Sequence, residues 1–177
     1  MFIPEPSRYP PAGLLRRLGA MVSDSLVVVG LLLLGTLVFV PLLHRLDAKA
    51  LVPSEVGWFW ASVYWVWLLS IWIGFFTYFW VKRGQTVGMQ AWRLRVEDEQ
   101  GRLLTWSMAL KRIALAAAPW LPSLIILEVA EHYRSTACKY LGLAALILGV
   151  AGLLSMYADS QRRTWHDRLS VSRVVKL

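Results

Sequence analysis

The chain has 177 residues, of which 57% are hydrophobic, with ten tryptophans, a single cysteine and a formal charge of +8. Mean hydropathy is +0.51, and a soluble chain carries roughly 45–50% apolar residues, so a soluble globular domain is excluded in favour of one membrane domain. The lone Cys138 excludes an internal disulfide and a thiolate-rich metal site. The positive charge sits in short connections between apolar runs rather than on one patch, which argues against a nucleic-acid partner.

Residues Met1–Pro11 hold four of the eight prolines and no apolar period, so they read as an irregular tail. The stretch that follows, RRLGAMVSDSLVVVGLLLLGTLVFV, is apolar or small apart from its leading arginines and Asp24. Arg17 to Val40 is 24 residues, and about 20 helical residues cross a bilayer core of about 30 Å. A signal peptide has a shorter apolar run, roughly 7–15 residues, closed by an A-x-A-like site. Neither feature is present, so an uncleaved span is expected.

Pro41–Gly57 reads as a polar connection containing His44, Arg45, Asp47, Lys49 and Glu55. Trp58–Trp80 is a second span of 23 uncharged residues. Trp58, Trp65, Trp72 and Phe79 fall on one stripe of it, facing lipid or a neighbouring helix. Between Lys82 and Arg112 the sequence turns polar. Gly84, Thr86 and Gly88 in GQTVGM suit a tight turn at the membrane surface. They do not form a phosphate cradle, for which GxxxxGK[ST] is required. AWRLRV alternates as a strand does, DEQG is a turn signal, and RLLTW is expected to return as the second strand of a hairpin. Thr105 or Ser107 then caps a short helix.

Ile113–Ala130 is a third apolar segment, interrupted by Pro119 and Pro122, and reads as a kinked span. Glu128, Glu131 and His132 share a face at its far end. A metal there would need a further ligand, His44 being on the same side, so no metal is expected and a solvated helix end is preferred. Lys139–Ala158 is the fourth span, with Gly142, Ala145, Gly149 and Gly152 offering surfaces for close helix approach. The remainder, residues 159–177, is a basic tail.

The fold class that follows is all-α: a polytopic, four-helix transmembrane bundle, residues 1–177 forming one domain with a short cytoplasmic β-hairpin between helices 2 and 3. Fifteen of the 19 basic residues fall before the first span, between the second and third, or after the fourth. The positive-inside rule therefore puts both termini in the cytoplasm.

Arg17 and Asp24 lie on one helix face, with Asp24 about 10 Å deeper. An ionised aspartate at mid-span costs roughly 2.5–3.5 kcal/mol, and such groups usually face a bundle interior or water. The expectation is a cytoplasm-facing polar cluster that joins Arg17 and Asp24 of the first helix to Arg162, Arg163, His166, Asp167 and Arg168 of the tail, with a basic group pairing Asp24. Its role stays open between locking helices together and holding a cation or proton.

RRLGAMVSD, GQTVGMQAWRLRV and RRTWHDRLSVSRVV, in that order, resemble the RDD family of small bacterial membrane proteins. The resemblance runs from about Ala12 to Val175. It implies that Arg17 and Asp24 match the family's arginine and first aspartate, and Asp167 the second. It also implies transport of a small solute or ion. Ser172 departs from the Gly-Thr pair that members carry nearby, a difference confined to the tail's turn. Of three function classes, transport of an ion or solute, which with only four spans requires a homo-oligomer, a non-catalytic adaptor that binds a partner through the basic hairpin and tail, and membrane enzymology, the first two are preferred. No nucleophile–base arrangement is visible, so neither an enzyme nor a cofactor is expected. The one expected partner common to both is the lipid bilayer.

Overall fold

The computed structural model describes residues 9–46 and 58–177. The polar residues expected in the first connection, Asp47, Lys49 and Glu55, and the His44 side chain lie outside the described residues, as does most of the proline-rich start.

Helix α1, Leu14–Leu46, begins earlier than the apolar run and continues through Pro41. Helix α2, Trp58–Lys82, follows the second run closely. A short helix α3, Val87–Ala91, starts at Thr86, whose hydroxyl accepts from the Met89 N–H. Strand β1, Leu94–Asp98, takes the alternating segment. Asp98 then accepts the Gln100 and Arg102 N–H groups, both at 2.8 Å, and Gly101 adopts φ +77°, so DEQG is indeed a turn.

The expected hairpin does not form. Among the described residues RLLTW has no strand partner; Leu104 goes into the core and Thr105 caps helix α4, Trp106–Ala117. The partner of β1 is instead strand β2, Ser172–Lys176, from the far end of the chain. They pair antiparallel with Val96 opposite Val174 and Glu97 opposite Arg173. Pro11 bridges to Val175 on the other edge of β2, and the Ala12 N–H donates to Val174 O at 3.0 Å. The physical reason is coverage. A lone hairpin is marginal in water, whereas β2 placed between β1 and the N-terminal segment has both edges paired.

Pro119 lacks an N–H, and the helix breaks at Ala118 before resuming as α5, Trp120–His132. Helix α6, Thr136–Leu154, is capped by Ser135 and ends in a 3₁₀ turn, Ser155–Ala158. Helix α7, Trp165–Leu169, leads into β2. Four stretches, Leu14–Leu42, Phe59–Lys82, Trp106–His132 and Thr136–Ala158, are long and apolar enough to cross a membrane.

The spans are arranged as two helix pairs, α1 with α2 and α5 with α6, joined through α4, which packs on α2 and leads into α5. Helix α1 packs along α2, where Trp67 Nε1 donates to Gly35 O at 3.1 Å and Thr36 bonds Tyr64 at 2.9 Å. Helix α5 packs along α6, with Gly142 against Leu127 and Gly149 against Trp120. Among the described residues α1 and α2 make no extended contact with α5 or α6. Leu37, Trp65 and Ile147 are each 68% exposed, a surface that water would not tolerate over such lengths and that hydrocarbon solvates.

The packed core sits at one end. Ala12, Ala20, Met89, Leu94, Val96, Leu104, Ala109 and Val174 converge there, under Trp80, Val81 and Met108. Residues from the start of the chain, from the α2–α4 connection and from its end thus form one folded unit at the same ends of the spans.

Candidate functional site

Two buried carboxylates organise that end. Asp167 lies in the first turn of α7, where its Oδ2 accepts the Thr164 N–H at 3.1 Å. The same oxygen accepts Arg17 Nη1 at 2.6 Å, and Oδ1 pairs with Arg112 Nη1. Arg17 also donates to Ala12 O at 3.3 Å and Arg162 O at 2.8 Å. Arg112 also donates to Ser172 Oγ at 2.5 Å and stacks over the Trp80 ring. All three charged side chains are buried. Burial alone would raise the Asp167 pKa, but the Arg112 and Arg17 charges outweigh it and hold the carboxyl well below the usual range. Beside it, burial and then the Arg112 charge push the His166 imidazole down to about 4, so it is neutral at pH 7. Its Nε2 is 3.0 Å from Thr164 Oγ1.

Asp24 lies two helical turns deeper in α1 and is also buried. Its Oδ2 accepts from Thr86 Oγ1 at 2.5 Å and its Oδ1 from the Gly88 N–H at 2.7 Å. The expectation that a guanidinium or imidazole neutralises it is therefore corrected: among the described residues Asp24 is in no ion pair. Two donors at the start of α3 satisfy it instead, and this pins α3 across α1. The approach is close enough that a Cβ on Gly88 would lie 2.4 Å from Ala20 O and 2.8 Å from Asp24 N. Gly88 is thus a contact residue inside α3, not part of the turn. That turn is made at Gly84, at φ +68°, and ends on Thr86.

The rest of the expected cluster divides. Arg162 contributes its carbonyl, not its guanidinium. Arg163 turns to other acids, Asp159 at 3.1 Å and Glu99 at 2.8 Å. At the far end of α5, Glu131 pairs with Lys139 at 2.9 Å with both side chains well exposed, and His132 packs against Tyr133. Glu128 joins neither contact, and among the described residues no three His, Cys, Asp or Glu side chains are placed to hold a metal.

Three participants escaped the sequence reading: Arg112, Ser172 and Thr164. Arg112 carried a signal, since it directly precedes the apolar run IALAAA and stands at the mouth of a span. Ser172 and Thr164 carried none, because their roles depend on the return of the tail.

A cavity of about 400 Å³ lies between the two helix pairs. Arg17, Asp24, Arg112, Thr164 and His166 line its inner end, and Trp72, Phe76, Trp120 and Leu121 are among its apolar walls.

Long apolar helices gathered at one end by buried acid–base ties define a membrane protein. The model of the RDD family matches residues 11–171, and the chain belongs to that family. No curated protein and no solved structure matches the chain.

Proposed function

We propose that this is a multi-pass protein of the bacterial inner membrane, with both termini in the cytoplasm, that binds a small charged solute or ion in the cavity at the inner end of its spans and moves it across the bilayer. The observation that carries this reading is the cavity itself. Its volume of about 400 Å³ falls in the range of small-ligand sites, about 300–1,000 Å³. Charged side chains beside apolar spans are costly and usually mark a solute path. The orientation is supported by the folded unit: it gathers both ends of the chain and the α2–α4 connection, the segments that carry the excess of Lys and Arg.

Asp24 takes a positioning role here, since Thr86 and Gly88 already occupy its oxygens. The test is a flux screen on purified protein in proteoliposomes across several cations and anions, with Ala117→Trp, which fills the cavity wall, as the blocked control. Flux of one solute that the control abolishes supports the reading, and no flux for any solute overturns it. A second reading, adaptor function, draws on the exposed Arg93, Arg102, Lys111 and Arg168 around the folded unit. It predicts instead that a partner is retained in a detergent pull-down and lost when these four are neutralised.

A further inference from the structure

We infer that the cavity holds an anionic lipid of the inner leaflet, with its phosphate against Arg112 and its acyl chain between the two helix pairs. The inference uses the cavity named above but not the transport reading, since it gives that cavity a resident lipid rather than a small ion that passes through.

The charges come first. Arg17 and Arg112 share the single carboxylate of Asp167, so this buried triad carries a net positive charge. Arg17 spends its guanidinium on Ala12 O, Arg162 O and Asp167. Arg112 does not. It is 5% exposed, and only its Nη1 is engaged, in a hydrogen bond to Ser172 Oγ and an ion pair with Asp167. Its Nε and Nη2 have no hydrogen-bond partner among the described residues, and the side chain lines the cavity. A buried guanidinium with donors to spare calls for an oxyanion, and phosphate suits its planar fork. Thr164 adds a hydroxyl on the same lining. His166 is in its neutral form at pH 7, so the positive charge on this lining comes from the arginines. Asp24 does line the cavity, but both its oxygens are engaged by Thr86 and Gly88.

The walls come second. Away from these groups the lining is Met21, Trp72, Phe76, Trp120, Leu121 and Leu153, which offer a water-soluble ion nothing to bond. Among the described residues α1 and α2 make no extended contact with α5 or α6, so only α4, which packs on α2 and leads into α5, joins the walls of this apolar part. An anionic head joined to a hydrocarbon chain matches both halves, whereas a free anion matches only one.

The test is native mass spectrometry of the purified full chain in detergent, with phosphatidylglycerol or phosphatidylcholine added in equal amounts. The wild type is expected to retain phosphatidylglycerol over phosphatidylcholine by about tenfold or more, the scale of one charge-assisted hydrogen bond. Arg112→Gln should bring the two lipids to parity. Because that change also disturbs the triad, Ala117→Phe provides a second reading: it leaves every ion pair intact and should lower retention of both lipids. Equal retention of the two lipids by the wild type overturns the inference. So does displacement of phosphatidylglycerol by millimolar inorganic phosphate, which would assign the site to a soluble anion, or a lipid-free dimer, which would assign the gap to a second copy. Flux without lipid retention sinks this inference alone, and retention without flux sinks the transport reading alone.

Discussion

Arg17 Nη1 meets Asp167 Oδ2 at 2.6 Å, joining residues 150 positions apart. One end of the bond is in the first turn of α1 and the other in the last helix, so it fixes where the tail returns. Since Arg112 holds the other carboxylate oxygen, the two arginines are not equivalent to the acid between them. Asp167→Asn leaves two buried guanidinium groups facing each other, whereas Arg17→Gln leaves a one-to-one pair. Removing one partner of a buried ion pair costs about 3–5 kcal/mol. The expected order of melting temperatures in detergent is therefore wild type, then Arg17→Gln, then Asp167→Asn. An Asp167→Asn protein that melts with the wild type would show the triad to be energetically idle.

His166 gives the folded unit a pH dependence. Its pKa falls from an ordinary 6.5 to about 4 on folding, through burial first and the Arg112 charge second. Between those values the unfolded chain binds more protons, so stability is complete above about pH 6.5 and declines as the pH falls toward 4. Asp167 acts in the same direction, but its contribution is lost only below the ordinary carboxylate value of 3.8. The histidine effect amounts to at most about 3 kcal/mol. Melting temperature measured from pH 7.5 to 5 should drop in the wild type and stay nearly flat in His166→Asn. Parallel curves would remove His166 as the cause.

The contact between α3 and α1 should tolerate almost no added volume. Gly88→Ala puts a methyl group against Ala20 O and the Asp24 backbone, and backbone cannot rotate away. Gly19 is a useful contrast. A Cβ there also lies close, 2.3 Å from Trp92, but its neighbour is an exposed side chain held by one hydrogen bond, Nε1 to Ser23 Oγ at 3.2 Å, rather than backbone. Overpacking typically costs about 1–3 kcal/mol, and Gly88→Ala should fall at or above the upper end with Gly19→Ala below it. Thr86→Val tests the same joint chemically, since it removes one of the two donors to Asp24 at constant shape, for about 1–3 kcal/mol, while Thr86→Ser keeps that donor. If unfolding in detergent ranks Thr86→Ser with Thr86→Val, the hydroxyl is not the tie.

The four long apolar helices were legible because bilayer thickness imposes a length and a polarity that a local window displays. The Thr105 cap and the DEQG turn were legible for the same reason: each is satisfied within four residues. The partners were not. Whether Asp24 meets an arginine or a hydroxyl depends on where α3 crosses α1, which no spacing in the sequence encodes. The strand pairing failed on the same ground. RLLTW lay nearest to AWRLRV, but SRVVK supplied the β-branched pair Val174 and Val175, and could be covered on both edges.

That pairing can be checked covalently. Val96 and Val174 face each other in the register, and across an antiparallel pair their Cα atoms are about 4.5–5.5 Å apart, inside the span a disulfide needs, about 4.4–6.8 Å. In a Cys138→Ser background, Val96→Cys with Val174→Cys should cross-link under mild oxidation, seen as faster migration on a non-reducing gel. Val96→Cys with Val175→Cys should not, because successive side chains on a strand point to opposite faces. A hairpin confined to the α2–α4 connection would bring neither tail residue opposite Val96 and would leave both double variants uncross-linked. Equal cross-linking of the two would mean that β2 slides by one residue. Such a slip would also move Ser172 away from Arg112 and open the triad, so the register of this small sheet and the geometry of the buried charges stand or fall together.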